Sequence, residues 1–107
     1  MKNMIRTLLV LAAGVCLAGV MGFAQSSGKA VYQAHCQMCH GASGIPNPGM
    51  AKMMGIPAAN SAAMKKLTPA QMFASVKNGK GKMMAFKSQL TDAQIRATVA
   101  YFRTLTK

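Results

Sequence analysis

The chain has 107 residues, with 13 lysines and arginines against one acidic residue, for a formal charge of +12. That length holds one domain, and the single side-chain carboxylate, Asp92, excludes catalysis by a carboxylate pair. In chain order, Lys2 and Arg6 introduce an uncharged run over 7–24, rich in Leu, Val, Ala and Gly, that closes on Gly22-Phe23-Ala24. This pattern predicts a secretory signal over 1–24, cleaved after Ala24, and a domain over 25–107 in an exported, oxidising compartment. The same run is just long enough to span a bilayer, so an uncleaved membrane anchor is the alternative. Cys16 lies inside it, preceded by Val15 where a lipidated cysteine expects a small residue.

Beyond residue 24 the chain keeps two cysteines, Cys36 and Cys39, and five aromatic residues. So short a chain buries little apolar surface. A disulfide between residues three apart closes too small a loop to offset that, so something else is expected to fill the core.

The stretch "GKAVYQAHCQMCH" (28–40) reads as a helix, with Ser26 or Ser27 as its cap; Val31 and His35 share a face, as do Tyr32 and Cys36. Residues 41–49, "GASGIPNPG", read as loop. Met50, Met53 and Met54 follow at i, i+3, i+4, a short amphipathic turn or helix, and 55–66 is weakly patterned. Two helix starts are sharper. "LTPAQM" at 67–72 and "LTDAQI" at 90–95 each carry a threonine cap with glutamine three residues on, a capping box. Leu67 with Met72 and Leu90 with Ile95 form hydrophobic staples across those caps, and Pro69 takes the first helical position. The first of these helices stops at Asn78–Gly79, the second near Leu105, with the loop "GKGKMMAFKSQ" between them. No stretch shows strand alternation. The expected fold class is all-α, with three to four helices.

Three chemistries use a Cys-x-x-Cys. A structural zinc site wants four ligands, and Cys36, Cys39, His40 and His35 are crowded into six residues with no distant pair to complete a tetrahedron. A thioredoxin-like disulfide needs the motif at a helix start after a strand; here it ends a helix. The remaining chemistry is covalent haem attachment, whose signature is Cys-x-x-Cys-His. On a helical turn Cys36, Cys39 and His40 share one face, so the thiols can form thioethers to the porphyrin while His40 ligates the iron. His35, adjacent to Cys36, cannot reach the opposite side of the porphyrin. A thioether is the other common axial ligand, and the loop "GKGKMMAF" offers both Met83 and Met84.

These residues resemble the small bacterial single-haem class I cytochromes c. The likeness covers 28–106 and rests on Gly28, Tyr32 and Cys36 at four-residue spacing, on Cys36-Cys39-His40, on the glycine-rich methionine loop "GKMMAF", and on a final helix with a tyrosine, "VAYFRTL". It implies a cytochrome c-like fold wrapped around one covalent haem c, with the first and last helices crossing near Gly28 and Tyr101. It implies axial ligation by His40 and Met83, with Met84 as the alternative, since Met84 stands where the family has proline. It also implies that a proline carbonyl accepts the Nδ1 proton of His40; Pro46 and Pro48 both qualify, and Pro48 is preferred. Thr98 replaces a usual aliphatic one turn before Tyr101, so a looser crossing is expected. No tryptophan is present to bond a propionate.

The function expected is periplasmic transfer of one electron by a non-enzymatic carrier. The alternatives are an electron-transfer subunit of a larger redox enzyme, or a haem ligand sensor or peroxidase if the methionine is labile. Lys77, Lys80, Lys82 and Lys87 flank the methionine loop and suit redox partner proteins with acidic docking surfaces; a solvated face is the plainer reading. Peripheral contact with an anionic membrane is compatible with the charge. Nucleic acid is not expected, because export removes it and no aromatics interleave with the lysines. Met38, Met50, Met53, Met54, Met64 and Met72 read as packing around a porphyrin rather than as soft-metal ligands.

Overall fold

A computed structural model describes residues 27–107, and the expected signal segment 1–24 lies outside them. Among the described residues the secondary structure is helical. Helix α1 covers residues 27–35, α2 Gln37–His40, α3 Pro48–Met54, α4 Ala62–Lys65, α5 Pro69–Asn78 and α6 Asp92–Thr104. The pairing of single residues Lys80 and Met83 is the only β-type contact among them. None of these helices is long and apolar enough to cross a membrane.

The capped helices form where the local chemistry places them. Thr68 accepts from the Gln71 amide at 3.1 Å while the Gln71 side chain accepts from the Thr68 amide at 2.9 Å. Thr91 and Gln94 repeat the exchange at 3.2 and 2.9 Å. Both boxes satisfy amide donors that a helix start otherwise leaves bare. Met72, Leu90 and Ile95 then meet Val31, Phe86 and Val99 in one core cluster, with Leu67 packed against it, so both staples feed the same core.

Three details differ from the sequence-based expectation. The helix expected over 28–40 is interrupted at Cys36, whose φ of −117° departs from the usual helical value while its ψ of −36° does not; Cys36 caps the separate turn α2. Helix α3 begins at Pro48, inside the expected loop, because the Asn47 side chain accepts from the Gly49 amide at 2.9 Å and proline suits a first helical position. The weakly patterned stretch contains α4, started by Ser61.

The crossing of α1 and α6 sets the site. A Cβ built on Gly28 would overlap the carbonyl oxygen of Ala97. The two backbones are in contact there, which only glycine permits. The looser crossing expected from Thr98 is not what forms. Thr98 is 2% exposed and sits within the contact.

Candidate haem-attachment site

The break at Cys36 produces the geometry of α2. The Cys36 amide closes α1 on the Tyr32 carbonyl at 2.9 Å, and the Cys36 carbonyl accepts from both Cys39 at 3.2 Å and His40 at 2.9 Å. One carbonyl thus gathers the motif into a single tight turn. Both cysteines are half-buried thiols outside any disulfide. Burial pushes the Cys36 thiol up, and the Thr98 hydroxyl, at 4.0 Å from Sγ, works against that.

His40 is half-buried against the edge of Phe102, with ring centroids 5.8 Å apart and planes at 72°. Burial pushes its pKa down, so the neutral imidazole that a metal requires is the favoured form. Its Nδ1 is buried and has no hydrogen-bond partner among the described residues. Nδ1 thus lacks the acceptor that a metal-ligating histidine usually has for its second nitrogen. Pro48, the preferred acceptor for that proton, is exposed at the first position of α3, and Pro46 is buried; neither carbonyl reaches Nδ1.

Tyr32 fixes the far end of the motif. It is 1% exposed, and its hydroxyl donates to the Gly41 carbonyl at 2.6 Å. Desolvation raises its pKa to about 12, with the charges of Cys36 and Tyr101 adding to the shift. Its ring lies 5.3 Å from that of Tyr101 and 6.1 Å from that of Phe102. Gly41 itself has φ of +83°, and a Cβ there would overlap the Ile45 carbonyl. The chain therefore turns sharply away directly after His40.

The methionine loop folds back on α5. Lys80 and Met83 exchange backbone hydrogen bonds at 3.0 and 3.2 Å, and the Phe86 amide bonds the Val76 carbonyl at 2.9 Å. Met83 is half-buried and packs on the core cluster, whereas Met84 is 63% exposed. Neighbouring residues of an extended segment point to opposite sides, and here the inward one is Met83. Lys82 donates to the Met53 carbonyl at 2.8 Å, tying this loop to the end of α3. Lys77 is held by Asp92 at 3.2 Å and lies over the Phe73 ring, so two of the four loop lysines have partners.

Sequence reasoning did not find the contacts of Thr98, Phe102 and Lys82. A signal for two of them existed: Thr98 and Phe102 stand at i, i+4 in α6, one face of the helix that must cross Gly28. His35, set aside as a ligand, is exposed and edge-on to Phe86 at 6.3 Å. An open groove between α5 and α6, about 410 Å³ and lined by Phe73, Arg96, Val99 and Arg103 among others, contains none of the motif residues.

Two half-buried thiols and a half-buried imidazole on the same turn fit a porphyrin attached covalently beside a histidine. Comparison with known proteins points the same way. A family model described as "Cytochrome C oxidase, cbb3-type, subunit III" matches residues 23–102. The chain is 38% identical over 76 residues to a cytochrome c6 of Leptolyngbya boryana, covering 71% of this chain and 86% of that one. It is 33% identical over 96 residues to a dihydro-heme d1 dehydrogenase of Pseudomonas aeruginosa; the match takes in 88% of this chain but spans only 18% of that enzyme. Among solved structures, the KustC0563 c-type cytochrome superposes with a TM-score of 0.68 at 28% identity, over 75% of this chain and 98% of the other.

Proposed function

Because the chain belongs to the cytochrome c family described as cytochrome c oxidase, cbb3-type, subunit III, and is a small class I c-type cytochrome with the all-α fold of that class, we propose that it is an exported, periplasmic one-electron carrier with a single haem c. The group supplies a reversible Fe(III)/Fe(II) couple. The chain's own residues do the rest. Cys36 and Cys39 would hold the porphyrin by thioethers, and His40 and Met83 would be the iron ligands, with Met84 as the alternative to Met83. Phe102 covers one side of the His40 ring.

The observation that carries this reading is the turn Cys36–His40, gathered by one carbonyl and pinned at its end by Tyr32. Two protein ligands would leave the iron no free position for a substrate while Met83 stays bound, which favours a carrier over an enzyme. Docking is by charge: Lys80 and Lys87 are exposed beside the methionine loop and suit an acidic redox partner. Screening by salt should slow that reaction. The match to a short part of a larger dehydrogenase supports a second reading, that the domain passes electrons within an enzyme assembly.

Mass spectrometry of the denatured, purified protein tests the proposal. The expected mass is the chain cleaved after Ala24 plus one haem. Haem lost to acidic acetone would overturn covalent attachment, and a mass including residues 1–24 would replace the exported carrier with an anchored one.

A further inference from the structure

We propose that Thr98 is a positioning and tuning residue for the haem: its buried hydroxyl is directed at the sulfur of Cys36, and it holds the reduction potential higher than the aliphatic side chain usual at this place would. The proposal rests on attachment of the haem at Cys36.

Three observations support it. Apart from Tyr32, whose hydroxyl bonds Gly41, Thr98 is the one buried side chain with a polar group among the described residues, at 2% exposure. Its Oγ1 approaches Cys36 Sγ at 4.0 Å across 62 residues of sequence, and among the described residues that hydroxyl has no other hydrogen-bond partner. Third, it cannot drift. The contact of Gly28 with Ala97 fixes α6 against α1 one residue away, and the Cys36 amide is bonded to Tyr32 on the facing helix.

The direction of the effect follows from which group keeps a hydrogen. In the free thiol either atom can donate. Once sulfur carries the thioether it has no hydrogen, so only the O–H···S orientation remains for this pair. At 4.0 Å this is a long contact, and what acts is the hydroxyl dipole. Its positive end faces a sulfur bonded to the porphyrin, in a water-poor setting where dipoles are weakly screened. The oxidised haem carries one more positive charge than the reduced haem. A positive dipole end aimed at it disfavours oxidation and raises the potential.

A substitution series separates this from packing. Thr98→Val keeps the shape and removes the hydroxyl. Thr98→Ser keeps the hydroxyl and loses a methyl. Thr98→Ala loses both. For each variant the covalent haem is confirmed by mass, then the potential and the thermal midpoint are measured. Val and Ala should lower the potential, shifting the equilibrium with a reference redox couple by about 2- to 3-fold towards the oxidised protein, the size of one weak hydrogen bond. Ser should stay at the wild-type potential. Stability should order differently, with Val at or above wild type, and Ser and Ala below it. Should Val fail to fold, Ala against Ser still isolates the hydroxyl. Haem-loaded Val or Ala with an unchanged potential would overturn the proposal, as would a potential that tracks stability across the series. A wild type without covalent haem would instead overturn the attachment on which it rests.

Discussion

On the Cys36–His40 side, contacts from two helices converge: Gly28 on Ala97, the Tyr32 hydroxyl on Gly41, and Phe102 against the His40 ring. On the Met83 side, one turn carries the residue, the Phe86 and Lys87 amides tie the loop to α5, and an exposed lysine bond ties it to α3. The anchoring side is built from long-range contacts of buried groups, which open only when the domain opens. The methionine side sets its side chain on the core but holds its backbone by a turn and an exposed lysine bond, which open more locally. If both sides bind iron, His40 should be the permanent ligand and Met83 the exchangeable one.

The largest break comes at the crossing. Gly28→Val forces a side chain into the Ala97 backbone, which cannot move without displacing α6. The loss should be at least about 3 kcal/mol, seen as a collapse of soluble haem-loaded protein. A folded, haem-loaded Gly28→Val protein would mean the anchoring side is more pliable than the geometry states.

Next is the methionine loop. Met83→Ala should abolish the sulfur-to-iron band at the red end of the oxidised spectrum and let carbon monoxide bind the reduced form. It should also cost about 2 kcal/mol of packing, because the side chain joins the core. Met84→Ala, removing an exposed side chain, should leave the band and the stability within about 0.5 kcal/mol of wild type. The reverse result would make Met84 the ligand.

Tyr32 gives a pH signature. Its phenol titrates at about 12 in the folded protein against an ordinary value of 10.0. Below pH 10 both folded and unfolded chains keep the proton. Between about 10 and 12 the unfolded chain releases it first, so unfolding is increasingly favoured as pH rises. The contribution is complete below pH 10 and gone near 12. Tyr32→Phe should lower stability near neutrality, by removing the bond to Gly41, and flatten this alkaline decline in denaturant melts. An equal alkaline slope in both proteins would assign the decline elsewhere.

The smallest effect is expected at Lys82→Ala, about 0.5 kcal/mol, because the bond to Met53 is exposed. The spectrum should not change, but imidazole should enter the oxidised protein about 2-fold faster. An unchanged entry rate would show that the loop does not depend on its link to α3.

Legibility in the sequence followed the same division between local and distant causes. The two capping boxes, the stop at Gly79 and the grouping of Cys36, Cys39 and His40 are set by residues within about five positions of one another, and those could be read directly. Gly28 was legible through its spacing to Tyr32 and Cys36 in the family resemblance. The break at Cys36 was not, since nothing about a cysteine there opposes a continuous helix. Helix α3 was placed too late because Asn47-Pro48 signals a loop as readily as a helix start. The approach of Thr98 to Cys36 joins residues 62 apart, and no local pattern encodes it. The sequence pointed to looser packing at Thr98, where the structure places a buried hydroxyl.

The meeting of α1 with α6 has an architectural consequence. Gly28 touches Ala97, and Thr104 lies seven residues further along a helix, about 10 Å at 1.5 Å per residue. The polypeptide therefore enters and leaves this unit on neighbouring paths. A unit with adjoining entrance and exit can be spliced into a larger protein without stretching either flank. Such a graft brings in a c-type cytochrome unit as a cassette, and the host need supply only a surface to set it against.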